Sequence, residues 1–161
     1  MTKFESKRGL LVHIGCGLDK QPNFLGMDLE PLDGVDLVHD WRQDLKPLED
    51  GSVLTILATH VVERVDPANG HFLDWMDECW RVLKPRGQLA TMMPYAGSRA
   101  YWQDPCHVNP CTEATAFYLD PEHPSGLYQI YHPKPWAIEA NLFHREGQLE
   151  WTLRKREEPN D

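Results

Sequence analysis

The chain has 161 residues, 41% of them hydrophobic, and a net charge of −9. That length suits one domain, residues 1–161, with a buried core, while the acidic balance disfavours nucleic acid as a partner, because such affinity comes from clustered Lys and Arg. No apolar run approaches membrane-spanning length, the opening MTKFESKRG has no apolar h-region, and four cysteines without C-x-x-C spacing point to a reduced, cytoplasmic protein.

In chain order, Leu10–Ile14 is a short run of branched apolar residues, the pattern of a strand buried on both faces. It runs into Gly15-Cys16-Gly17. Residues 24–27 predict a second strand, residues 35–38 a third and residues 53–58 a fourth. Residues 70–84 predict a helix, with Phe72, Leu73, Met76, Cys79, Trp80 and Leu83 on one face, stopped by Pro85 and Gly87. Residues 88–93 predict a fifth strand closed by Pro94.

The segment 95–135 is rich in proline and reads mostly as loop, with one short helix over 112–119 capped by Thr112. Residues 136–143 and 148–155 flank HREG, and Leu149, Trp151 and Leu153 alternate with polar residues, which predicts a half-exposed antiparallel hairpin. The expected fold class is α/β: an open Rossmann-like sheet, mostly parallel, with a C-terminal antiparallel hairpin.

The site residues stand where these strands end. Gly15 and Gly17 allow close backbone approach to a ligand. A dinucleotide fingerprint needs a third glycine where Lys20 stands, and an acid further on than Asp28, so NAD is disfavoured. No G-K-[ST] follows the turn, which rules out a P-loop. Asp28 ends the second apolar run, where α/β sheets bind ligands, and its carboxylate can accept both hydroxyls of a ribose. Trp41, after Asp40, is either a flat wall for a ring or ordinary core.

Five stretches in this order resemble the class I S-adenosylmethionine-dependent methyltransferases: VHIGCG, GMDLEP, LVHDWRQDLKPLEDGSV, LATHVVERV and MDECWRVLKPRGQLATMMP. The resemblance covers about half the chain, residues 10–94. It implies that Gly15, Cys16, Gly17, Asp28, Leu29, Asp40, Trp41 and Thr59 bind S-adenosylmethionine, with Asp28 on the ribose and Asp40 near the adenine. It also implies methyl transfer; the acceptor itself is not legible in the sequence, and the acidic charge favours a small-molecule or protein acceptor over nucleic acid. His60 follows Thr59 beside the expected sulfonium; it is a base candidate by its pKa and a positioning residue by the resemblance. Glu63 and Arg64 read as a solvated pair.

Three departures from the family pattern stand out. Nine residues separate Ile14 from Phe24, too few for an ordinary crossover helix, so that helix is expected to be shortened or absent. Arg86 replaces the first glycine of a P-G-G turn. No appended substrate-recognition domain is expected, which keeps open a degenerate binding or regulatory module without catalysis. The short GLDKQPN link suits a cofactor without phosphates better than NAD, whose pyrophosphate uses a helix N-terminus.

The stretch DPCHVNPCTEATAFYLDPEHP places Asp104, His107, Asn109 and Glu113 just after the fifth strand, with His107 as a catalytic candidate for the acceptor side. Cys106, His107 and Cys111 match no trusted zinc spacing, so no metal is expected. The tetrapeptide MMPY ends the fifth strand and lacks Asn, which sets it apart from the N-P-P-Y box of amino-methylating enzymes, placed after strand four. The uncovered hairpin edge is a candidate homodimer surface.

Overall fold

The computed structural model describes residues 9–158; the opening residues 1–8, which fall within the segment read as lacking an h-region, lie outside the described residues. Among the described residues there are seven strands: β1 (Leu10–Ile14), β2 (Leu25–Asp28), β3 (Leu37–Val38), β4 (Val53–Thr59), β5 (Leu83–Pro94), β6 (Trp136–His144) and β7 (Gln148–Lys155). They form one sheet in the order β3-β2-β1-β4-β5-β7-β6. Pairing is parallel from β3 through β5 and antiparallel across β5, β7 and β6. The expected α/β sheet with a terminal hairpin is therefore the observed one.

Several boundaries differ, each for a tertiary reason. β2 starts one residue later than expected and includes Asp28, because Met27 and Asp28 pair with Leu37 and Val38. β3 keeps only two residues. The helix α1 (His71–Val82) is shorter at both ends than the apolar pattern predicts. Gly70, at φ 79, sits at its N-cap after a 3-10 turn (Ala68–Gly70). At the other end Leu83 already pairs with Val53, so sheet pairing stops the helix before Pro85 does. Arg86 takes a φ of 64, as the glycine of a P-G-G turn would, in an exposed turn.

Segment 95–135 contains three short helices: α2 (Arg99–Trp102), α3 (Glu113–Phe117) and α4 (Tyr128–Tyr131). Only α3 is anticipated. Thr112 is its N-cap, and the Thr112 amide donates to Thr115 Oγ1 over 3.0 Å. It stops before Leu119 because Leu119 is fully buried and its carbonyl accepts the amide of Trp136 at 2.9 Å, leading into β6.

The link between β1 and β2 holds no helix. Its ten residues fold back onto the sheet instead. Gln21 N donates to Nδ1 of the buried His13 at 3.3 Å, and Lys20 Nζ reaches Asp36 at 2.7 Å. A Cβ on Gly26 would stand 2.5 Å from Lys20 Cδ and 2.8 Å from Cys16 Sγ. Gly26 thus leaves room for the link's own side chains to cover the sheet.

The core runs from Val12, Ile14 and Ile56 in the sheet to Trp75, Met76, Cys79 and Val82 of α1. Trp75 is fully buried, and its indole N–H donates to the Trp41 carbonyl at 2.7 Å. Arg81 closes the far end of α1: it bonds both oxygens of Glu78, the carbonyls of Leu45 and Leu48, and Asp50. Leu149, Trp151 and Leu153 of β7 are all buried, as their alternation predicts. Among the described residues no helix is long and apolar enough to cross a membrane.

Candidate functional site

The sheet order reverses between β1 and β4: β2 and β3 continue to one side, β5 to the other. In open α/β sheets the crevice outside the strand carboxyl ends at such a reversal is the ligand site. Gly15 to Gly17 follow β1 there, Asp28 and Leu29 close β2, Asp40 and Trp41 follow β3, and Thr59 and His60 close β4.

Gly15 has φ 63, and a Cβ there would stand 2.7 Å from Val61 Cγ2, so the turn admits glycine alone without strain. The Gly15 and Cys16 amides both donate to the Met27 carbonyl. The Cys16 side chain is buried, which leaves only its backbone for any ligand. Gly17 has φ 50 and open space where a Cβ would point. Its amide donates to Asp28 Oδ2 at 2.8 Å, and the Glu30 amide approaches Oδ1 at 3.3 Å. Each carboxylate oxygen keeps a second lone pair for an outside donor.

Asp40 is held in a bidentate pair by Arg42, at 2.9 and 3.0 Å, which lowers its pKa. The Trp41 ring is buried in the core, with Cζ2 lying 3.6 Å from a Cβ placed on Gly15. Arg42, Gln43, Arg64, Asp66, Ala68, Asn69 and His71 line a polar cleft of about 450 Å³ on the same side, within the range of small-molecule sites.

At the end of β4 the chain enters a 3-10 turn, Val62–Arg64. Glu63 is not the solvated residue its sequence context predicts. It is wholly buried, whereas its neighbour Arg64 pairs with Asp104 at 2.9 Å. The post-β5 loop docks on this turn: the Val108 and Asn109 amides both donate to the Glu63 carbonyl, and Asn109 Nδ2 donates to the Val62 carbonyl. His107, with its side chain 7% exposed, donates from Nδ1 to the Tyr101 carbonyl at 2.8 Å. Its Nε2 lies 3.5 Å from Asp104 and 3.9 Å from Glu63. His60, Glu63, Arg64, Asp104, His107 and Asn109 are thus gathered, while Glu113 opens α3 and is tied by its carbonyl to Asn141 of β6. Among the described residues no group of three or more His, Cys, Asp or Glu side chains is arranged to hold a metal ion.

No protein-family model matches the sequence, and no curated protein matches it either. Solved structures do. An S-adenosylmethionine-dependent methyltransferase from Archaeoglobus fulgidus superposes with a TM-score of 0.66 at 16% identity, covering 94% of this chain and 88% of its own. One from Mesorhizobium loti gives 0.61 at 12% identity, covering 94% of each chain. The Haloferax volcanii chain solved in complex with the Trm112 methyltransferase activator gives 0.63 at 14%, covering 93% and 84%.

The chain has the class I methyltransferase fold. Within the methyltransferase fold the crevice just described is the one formed at the β1/β4 reversal, and the helix missing between β1 and β2 is replaced without disturbing strand order.

Sequence reasoning missed Glu63, Trp75 and His13. Trp75 neighbours Met76 and widens the apolar stripe, a signal that was available. Glu63 gave none: an acid beside a base in sequence looks solvated, and only the 3-10 turn sends the two side chains in different directions.

Proposed function

We propose that this protein binds S-adenosylmethionine and catalyses methyl transfer to a small-molecule or protein acceptor from one cytoplasmic domain. The reading rests on one observation above all: the Asp28 carboxylate closes β2 beside Gly17 of the glycine turn, where the space a Cβ would fill is open. A ribose-bearing cofactor fits that cradle. Gly15, Cys16 and Gly17 would meet it with backbone, Asp28 with a carboxylate, and Leu29, Asp40 and Thr59 from the neighbouring strand ends. The structural neighbours named as S-adenosylmethionine-dependent support the choice of cofactor. The bound cofactor supplies a methyl group already activated on a sulfonium.

The residues around it then have to hold donor and acceptor in line and keep competing water out. The polar cleft lined by Arg42, Arg64 and His71 suits a small polar acceptor. Four free cysteines, three of them buried, favour a reducing compartment. A protein partner is a further reading, because the Haloferax neighbour was solved with an activator. Dimerisation along β6, an edge strand with Leu142 and Phe143 half exposed, is another; a monomeric mass in light scattering at high concentration rejects it.

The rival reading, a binding module without catalysis, draws on the missing β1–β2 helix. Methyl-labelled S-adenosylmethionine offered with a panel of hydroxyl, amine and thiol acceptors separates the two. Label transfer supports the enzyme; binding with no transfer supports the module.

A further inference from the structure

Glu63 is wholly buried, and among the described residues neither of its carboxylate oxygens has a hydrogen-bond partner. An ionised carboxylate in that state is costly unless its charge is compensated. What faces it is imidazole. His60 Nδ1 stands 3.3 Å from Glu63 Oε1, and His107 Nε2 stands 3.9 Å from the same oxygen.

The two histidines are placed differently. His107 is nearly buried and committed through Nδ1 to a carbonyl. The side chain of His60 is 52% exposed, and its contact with Glu63 is made through Nδ1. Its backbone sits at φ 57, a conformation bulky residues adopt at a cost and that clusters at functional sites. Its amide is held by the Met92 carbonyl at 2.8 Å, so the strained residue is fixed at the carboxyl end of β4, beside the crevice.

We propose that Glu63 is a positioning residue that holds the His60 proton on Nδ1 and leaves Nε2 as the proton acceptor for the reaction, so that the methyl acceptor is a hydroxyl or amine that loses a proton. This rests on the methyl-transfer reading above. The balance is complete within it. The bond made joins the methyl carbon to the acceptor oxygen or nitrogen, and the bond broken is carbon to sulfur, whose electron pair stays on sulfur. The acceptor proton moves to His60 Nε2, giving an imidazolium whose Nδ1–H faces a carboxylate, and from the exposed ring it passes to solvent.

The surrounding charges agree in sign. The Glu63 contact raises the pKa of His60, while burial and the Arg64 guanidinium lower it. Arg64 is itself drawn onto Asp104, which also flanks His107. Tyr101 and Cys111 face Glu63 from the post-β5 segment. Burial first, then Glu63, pushes the Cys111 thiol up to about 12, and burial first, then Cys111 and Glu63, raises the Tyr101 phenol, so both stay neutral.

The test is nitrogen and carbon NMR of the histidine rings in the free protein across pH, assigned with His60→Ala. In the wild type the neutral His60 ring is expected to carry its proton on Nδ1, the tautomer free imidazole side chains disfavour. In Glu63→Gln, His60 is expected to titrate lower than in the wild type. A neutral ring protonated on Nε2, or a titration unchanged by Glu63→Gln, overturns the proposal. If that variant fails to fold, the tautomer in the wild type decides alone. With hydroxyl or amine acceptors and labelled cofactor, Glu63→Gln lowers kcat by roughly a hundredfold, leaves acceptor KM unchanged, and moves the acid limb of the pH profile downward. Failure of S-adenosylhomocysteine to bind in calorimetry overturns the methyl-transfer reading while leaving the His60 measurement readable.

Discussion

The amide of Gly17 donates to Asp28 Oδ2 over 2.8 Å, fastening the glycine turn after β1 to the end of β2. One carboxylate therefore serves the fold and, in the proposed complex, the ribose. Asp28→Ala is expected to weaken S-adenosylhomocysteine binding about tenfold to a hundredfold, the range for hydrogen bonds to a charged group. Calorimetry measures it, and an unchanged affinity removes Asp28 from the site.

Gly26 predicts a packing effect. A methyl there meets Lys20 Cδ at 2.5 Å, Cys16 Sγ at 2.8 Å and the Gly34 carbonyl at 3.2 Å. Gly26→Ala should cost about 1–3 kcal/mol in denaturant unfolding. Adding Lys20→Ala should recover part of that loss, because the nearest clash is gone. No recovery points to the backbone contact instead.

His107 predicts a separation of roles. Its ring bridges the Tyr101 carbonyl and the Glu63 and Asp104 carboxylates. His107→Ala should abolish label transfer from S-adenosylmethionine while S-adenosylhomocysteine affinity holds. Unchanged turnover removes His107 from the reaction.

The acid side of the stability curve has a specific contributor. The Lys46 ammonium and amide, with His39, hold the Asp44 carboxyl down from 3.8 to about 2. A folded-state pKa below the unfolded one contributes stability above pH 3.8 and loses it as pH falls toward 2. The gap in melting temperature between wild type and Asp44→Asn should therefore be full near neutral pH and close in that window. A gap independent of pH contradicts the assignment.

Much of the fold was legible because its signals are local. β1 and β7 follow from branched runs and alternation, and the buried face of α1 from apolar steps of three and four. What escaped was set by partners distant in sequence. Leu83 leaves the helix because Val53 offers a ladder. The β1–β2 link does without a helix because His13, Asp36 and a side-chain-free Gly26 hold it down. At the site, the glycines and Asp28 carried a readable pattern. Glu63 did not, since its burial depends on the 104–111 loop closing over a three-residue turn.

In the proposed complex the crevice between the ends of β1 and β4 holds S-adenosylmethionine. Calorimetric titration of the wild-type protein with S-adenosylmethionine, S-adenosylhomocysteine and NAD tests it most directly. Saturable one-to-one binding of the first two and none of NAD is the predicted result. Binding of NAD in their place, or of no ligand at all, contradicts it.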